Sequence, residues 1–427
     1  MLPQLRRLEQ KYPAEISVVG VHSGKFTAER DTASLRDASL RLDAVHPTIN
    51  DRQFRVWRAY AVRAWPTLVV ISPSGYVVGM HAGEFEAELI APFLDRVLDE
   101  ARASGTLDVR HLVFPADAPS STSDVLAFPG KVAADGDRVA IADSGHHRVI
   151  IGTVEPAAAR MRIDRTVGEG TMGFRDGDHP LFNNPQGLVF HDDILFVADA
   201  GNHALRAIDL STGGARTIAG TGAQARTAAD AVAGVMNSPW DVAHDAGRLY
   251  VAMAGAHQLW CVDVDTGASV VHSGSGAEEL HDGAHAAAAL AQPMGLCLAA
   301  DAIYFVDSES SAIRIADRDS NGGVRTIVGT GLFDFGDVDA VGDVARLQHP
   351  QGIACVPDGR LLVADSYNGS LKWVEPRSGR VRTWLRGLHE PSGVAIARER
   401  AFVAETHRHR IRVASLESGS MAELRLE

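Results

Sequence analysis

An acidic residue with a histidine four positions later recurs in the second half of the chain: Asp143/His147, Asp199/His203 and Glu405/His409. His257 follows Met253 where the acid is absent, and the acids Asp307 and Asp365 are followed by Ser311 and Gly369. A basic residue stands seven positions after the acid at Arg206, Arg314, Lys372 and Arg412, and Arg148 adjoins His147. Carboxylates and imidazoles at fixed spacing are groups that ligate divalent metals or move protons. One reading is a ligand ring, with His147, Arg148, His203, His257 and His409 as its candidates. The other is turn chemistry, with each acid capping the N–H groups of its own tight turn and His or Arg tying neighbouring units together. The second weighs more, because these residues repeat with the unit that carries them, and a feature coded by a fold need not be a site. No metal ligand and no catalytic residue is therefore assigned.

Other chemical signatures are absent from the sequence. The loop from Phe333 to Asp343 has Asp337 and Asp339 at the first two calcium-ligand spacings, but Val341 stands at the third and Gln348 where a closing Glu belongs, so it is not an EF-hand. There is no P-loop, no GxGxxG after a strand, no GxSxG and no HExxH, and no cofactor is expected. Cys261, Cys297 and Cys355 form no CxxC and no paired spacing. They are expected as unpaired core residues in a reducing, cytoplasmic setting.

The elements that must position these residues come in six copies. Each begins at a proline (Pro129, Pro185, Pro239, Pro293, Pro350 and Pro391), continues as Pro-x-Gly/Asp, and contains a short strand, a turn, a strand of the type "LYVA", the acidic turn and a strand of the type "IRxxD". A fourth strand follows, as in "RTIAGTG" and "RTIVGTG". Four short antiparallel strands per unit at a near-regular period predict a propeller blade. One blade cannot bury both of its faces, so six must close into a ring over 124–427. Ala422 to Leu426 is expected to supply the last blade's fourth strand.

The first hundred residues read differently. Helical stripes at Leu2–Tyr12, Ala28–Asp43, Gln53–Val62 and Phe85–Ala101 alternate with extended runs at Glu15–His22, His46–Asp51, Trp65–Ser72 and Tyr76–Met80. Pro92 is expected to kink or restart the last helix. The order is αβαβαββα over 1–104. A Pro/Ser-rich linker, 105–123, leads to the propeller, with 109–114 a candidate strand inside it.

Two resemblances follow from these residues. Val197-Ala-Asp-Ala-Gly-Asn-His-Ala-Leu-Arg206 resembles the NHL-repeat hallmark "VADxxNHxIR". The stretch Arg63-Ala-Trp-Pro-Thr-Leu-Val-Val-Ile resembles the strand of thioredoxin-like domains that carries a cis-proline. That resemblance implies that Trp65, Pro66 and Thr67 present a substrate-facing backbone edge, and that a first strand and a CxxC pair lie upstream of Met1 or are lost. Together the chain resembles the family of NHL-repeat proteins with a thioredoxin-like front. Members carry a further β-rich domain, and nothing about that domain carries over to this chain.

The function expected is an interaction scaffold with a protein partner on a propeller face, acting as a monomer. Thiol–disulfide activity is expected only in a longer form, and enzymatic activity of the chain itself stays open. The alternative is a metal-dependent propeller enzyme of lactonase or lyase type. A net charge of −13 argues against RNA, DNA and membrane surfaces as partners, since each needs a basic face. No run is long enough to span a bilayer.

Overall fold

The computed structural model describes residues 1–42, 44, 46–109, 125–155, 158–227, 229–230, 233–299 and 302–427. They fall into two compact units, Met1–Ser120 and Ser121–Glu427. The candidate strand at 109–114 and most of the linker 105–123 lie outside the described residues.

The first unit contains α1 (Leu2–Lys11), β1 (Gly20–His22), α2 (Thr32–Arg41), β2 (Thr48–Asn50), α3 (Arg55–Ala59), β3 (Thr67–Ile71), β4 (Val77–Ala82) and α4 (Ala87–Ala103). β1 pairs with β2 in parallel and β3 with β4 as an antiparallel hairpin, so the described strands form two separate pairs. The core lies between α1 and α4, where Leu5, Leu8 and Tyr12 meet Ala91, Leu94 and Leu98. That packing carries α4 through Pro92 without interruption, contrary to the sequence expectation. One backbone bond is forfeited, and burial of the apolar stripe on both sides of the proline outweighs it. The third helix is shorter than expected because Phe54 before its start and Ala61 after its end adopt left-handed conformations. There the buried carboxylate of Asp51 accepts the N–H groups of Arg55, Val56 and Trp57 and the hydroxyl of Ser23.

The second unit is a six-bladed β-propeller. Each blade has four consecutive antiparallel strands, to which blade 4 adds the short piece Gly283–Ala284 along its outer strand, and the inner strands are Val132–Asp135, Pro185–His191, Pro239–Asp245, Pro293–Leu298, Gly352–Cys355 and Pro391–Ala397. Each junction between blades holds an apolar cluster built from both neighbours, such as Phe196 and Leu205 of blade 2 with Val251 and Trp260 of blade 3. The last-strand expectation needs correction. Met421–Glu423 completes blade 6, and Arg425–Leu426 then leaves it to pair in parallel with the outer strand of blade 1, Arg160–Val167. The reason is Leu424, which is buried with Phe402 and Ile411 of blade 6 and Ile150 and Met161 of blade 1.

Cysteine pairing is a second correction. Cys297 and Cys355 form a disulfide between the inner strands of blades 4 and 5, with a Cα–Cα distance of 5.8 Å. Neighbouring blades bring their inner strands side by side, here Cys297 four residues after its proline and Cys355 five after its own, a proximity hidden by a sequence separation of 58. Cys261 is a free, half-buried thiol. The disulfide removes the argument for a reducing compartment that rested on unpaired cysteines.

The inner strands approach closely at the second residue after each proline. A Cβ on Gly187 would lie 2.5 Å from Asp241 Cα, and one on Gly393 would lie 2.7 Å from Lys131 Cα. Gly187→Ala therefore forces the inner strands of blades 2 and 3 apart. It is expected to lower the unfolding free energy by about 1–3 kcal/mol in a urea titration.

Candidate functional site

The recurring acids sit at the end of each blade's second strand, and all five are fully buried. Each accepts a backbone N–H from the segment that enters its own blade: Ala127 for Asp143, Asn183 for Asp199, Ala291 for Asp307, Gln348 for Asp365 and His389 for Glu405, at 2.7–2.8 Å. A base completes the charge. Arg206 and Arg314 reach Asp199 and Asp307 at 2.8 and 2.9 Å, and Lys372 reaches Asp365 at 3.6 Å. In blades 1 and 6 the partner stands five positions on, Arg148 and Arg410, each at 2.7 Å. Arg412 is not the partner of Glu405, and its Nε is buried without a hydrogen bond. Burial pushes the Asp199 carboxyl up to about 6 against the pull of the Asn183, Asn202 and Arg206 donors.

The loops between blades supply a further carboxylate that the sequence reading did not assign. Asp176 accepts from Arg206 and from the N–H and hydroxyl of Thr217. Asp282 does the same for Arg314 and Thr326, and Asp339 for Lys372 and Thr383. The sequence signal was an aspartate in each inter-blade loop followed some forty residues later by "RT". Asp337 and Asp339, rejected as calcium ligands, are thus partners of Lys372.

The histidines join blades. His147, His203, His257 and His409 each end their turn in the left-handed region. Their Nδ1 atoms accept the N–H of Asn184, Ser238, Gln292 and Phe128, the residue before the next blade's proline, at 3.0–3.2 Å. An Nδ1 that accepts carries no proton. Burial accordingly holds His147 and His203 below the ordinary imidazole value. Ser311 Oγ plays the same part for His349. The serines of the turn add a second tie, with Ser144, Ser308 and Ser366 donating to the carbonyls of Pro185, Pro350 and Pro391 at 2.6 Å. The structure therefore brings the histidine candidates to equivalent junctions, each engaged with a backbone, and Arg148 to the acid of its own turn. No group of three or more His, Cys, Asp or Glu able to hold a metal occurs among the described residues.

Two other features stand apart from the repeat. Four blades have Gly at the second position after proline, whereas blades 1 and 3 have Lys131 and Asp241. Lys131 Nζ crosses the ring to Asp241 at 3.4 Å and to the carbonyls of Met294 (2.8 Å) and Gln351. Lys131 is buried and Asp241 largely so, and desolvation lowers the Lys131 pKa and raises that of Asp241. The second feature is on the turns. Two positions after the acid or its Met253 equivalent, blades 1–3 have Gly145, Gly201 and Gly255, but blades 4–6 have Glu309, Tyr367 and His407. Glu309 pairs with His349 at 3.3 Å, Tyr367 stacks on the same imidazole, and His407 pairs with Glu390 at 2.9 Å.

In the first unit the peptide bond Trp65–Pro66 is cis. Trp65 is 47% exposed and packs against Trp57, with ring centroids 4.5 Å apart, while its Nε1 donates to the Ser23 carbonyl. The Pro66 carbonyl accepts the Gly83 N–H, and Thr67 pairs with Ala82.

Two measurements check these assignments. Lys131→Met leaves Asp241 buried and unpaired, and is expected to cost about 3–5 kcal/mol of unfolding free energy, most of it regained in Lys131→Met/Asp241→Asn. His203→Asn retains an acceptor and a left-handed residue but cannot titrate. A base with a lowered folded pKa contributes stability that is fully present above its ordinary value of 6.5 and is lost as pH falls toward the folded value. The wild type should therefore lose more melting temperature than His203→Asn between about pH 7.5 and about pH 5.

The NHL repeat family matches residues 347–374, within blade 5. The chain is 37% identical over 99% of its length to Protein SUPPRESSOR OF QUENCHING 1, chloroplastic, of Arabidopsis thaliana, and covers 43% of that protein. It is 34% identical over 99% of its length to NHL repeat-containing protein 2 of Gallus gallus, covering 65% of it. The chain thus spans less than half of the plant relative and less than two thirds of the avian one. Among solved structures, a structural-genomics protein of unknown function from Bacteroides thetaiotaomicron shares the fold, with TM-score 0.50, 16% identity and coverage of 70% of this chain and 71% of that one. With its repeat signature, its six blades and this identity along nearly its whole length, the chain is, over its own span, a member of the NHL repeat-containing protein 2 family.

Proposed function

We propose that the chain is a non-enzymatic binding scaffold whose partner is a protein held on the turn-bearing face of the propeller at blades 4–6. The observation that carries this reading is the break in the repeat, where Glu309, Tyr367 and His407 replace the glycines of blades 1–3. Acids and imidazoles at the repeated positions are already bonded to the fold, so they offer little to a reaction. The residues that break the repeat, themselves paired with His349 and Glu390, make this arc of the face differ from the rest, and that difference is where recognition would be written. The −13 charge disfavours RNA and DNA as partners. No helix among the described residues is long and apolar enough to cross a membrane. The same reading treats the protein as a monomer in the cytoplasm, with domains at 1–104 and 124–427.

The first unit fits a thioredoxin-like module. Its order αβαβαββα, a parallel pair followed by a hairpin, and a closing helix support that assignment, and one further strand between the two pairs would join them into a single sheet. Trp65, Pro66 and Thr67 would then form the substrate edge, and thiol–disulfide activity would belong to a longer form that supplies a cysteine pair.

The test is affinity capture from the protein's own cell extract with two baits, the wild type and Glu309→Ala/Tyr367→Ala/His407→Ala, alongside a metal analysis of the purified wild type. A partner retained by the first bait and lost from the second supports the reading. Identical captures, or a stoichiometric metal ion, overturn it in favour of another face or of the metal-dependent enzyme.

A further inference from the structure

Blade 5 departs from the repeat in a second place, on the outer part of its sheet. The fourth strands of blades 2, 4 and 5 align as "ARTIAG", "VRTIVG" and "VRTWLR", with Arg216, Arg325 and Arg382 at one position. Across from these arginines stand Ala207, Ile315 and Trp373, and two residues along stand Ile218, Ile327 and Trp384. Only blade 5 therefore sets an arginine between two indoles. Trp373 and Trp384 lie with ring centroids 5.0 Å apart.

A third planar group extends this stack. The Arg360 guanidinium covers the Trp373 ring at 4.2 Å. It is fixed there by Asp358, which takes its Nε at 2.8 Å and its Nη2 at 2.7 Å. Arg380 stands beside Glu375, with Nε and Oε2 3.7 Å apart. Arg382 is exposed and makes no hydrogen bond, ion pair or ring contact among the described residues. These side chains line an open cleft of about 300 Å³. That volume is at the small end of the range for small-molecule sites, about 300–1,000 Å³.

We propose that this cleft binds a single mononucleotide, with its base against the indole–guanidinium stack and its phosphate on Arg382 and Arg380. A fixed indole and a fixed guanidinium are both planes on which a base stacks. A guanidinium without a partner gives two parallel N–H donors to a phosphate. The size of the cleft admits one nucleotide, and a net charge of −13 on the whole chain disfavours a polyanion. The ligand is therefore a free nucleotide rather than a nucleic acid. The cleft does not involve the turn-bearing residues of blades 4–6, so the two proposals stand or fall separately.

The test uses adenosine 5′-monophosphate as the probe, read by tryptophan fluorescence and by calorimetry on the whole chain. Saturable binding is expected, weakened at least about tenfold by Arg382→Glu and unchanged by Arg216→Glu, the equivalent residue without indoles. Trp384→Ile restores the residue of the sister repeats. It is expected to weaken the nucleotide by about tenfold and to leave inorganic phosphate binding as it was. No saturation below roughly 10 mM overturns the proposal, as does equal loss with Arg382→Glu and Arg216→Glu. Inorganic phosphate bound as tightly as the nucleotide would overturn it too, because the indoles would then take no part. Phosphotyrosine bound more tightly than the nucleotide would reassign the cleft to a phosphorylated peptide.

Discussion

A four-stranded blade has two apolar faces and can cover neither by itself. Every other feature of the larger unit follows from that constraint, because each face must be buried by the next blade and the sixth must meet the first. Closure is therefore built from more than apolar contact. Leu424 is buried between blades 6 and 1, and Arg425–Leu426 adds a strand to blade 1. His409 accepts the Phe128 N–H and Thr406 donates to the Pro129 carbonyl across the same junction. The chain ends its propeller by using, between its last and first blades, the same kinds of bond that recur at other junctions.

The buried charges serve the same end. The carboxylate at every turn but that of blade 3 has its lone pairs engaged by an entering N–H and a base, which is the condition for burying charge without a large penalty. Arg206 and Arg314 are fully buried, and each bridges a turn acid and a loop acid. Lys131 and Asp241 extend the pattern to the axis, where one cation and one anion replace glycines in a ring too narrow for more side chains. Chemistry of this kind makes a rigid frame. The informative positions are then those that break the repeat: Glu309, Tyr367 and His407 on the turns, and Trp373 and Trp384 on the outer sheet.

Much of the architecture is legible in the sequence. The six prolines, the "VAD" strands and the acidic turns repeat because each blade is a local unit whose strands are consecutive, so its register is written within about forty to sixty residues of chain. The helical stripes of Leu5 and Leu8 and of Ala91, Leu94 and Leu98 are local in the same sense. The turn acids were legible as residues of the fold but not in their partners: none caps its own turn, and each instead accepts an N–H of the entering segment, such as Ala127 for Asp143, which lies 16 residues upstream.

What the tertiary structure alone decided is everything that crosses between blades. The Cys297–Cys355 bridge, the span from Lys131 to Asp241, and the departure of Arg425–Leu426 to blade 1 join residues that are near only once the ring has closed. The continuity of α4 through Pro92 depended in the same way on α1 lying against it. Period and pattern determine which residues form a blade. The meeting of one blade with another is set by the geometry of closure, and no local spacing encodes that.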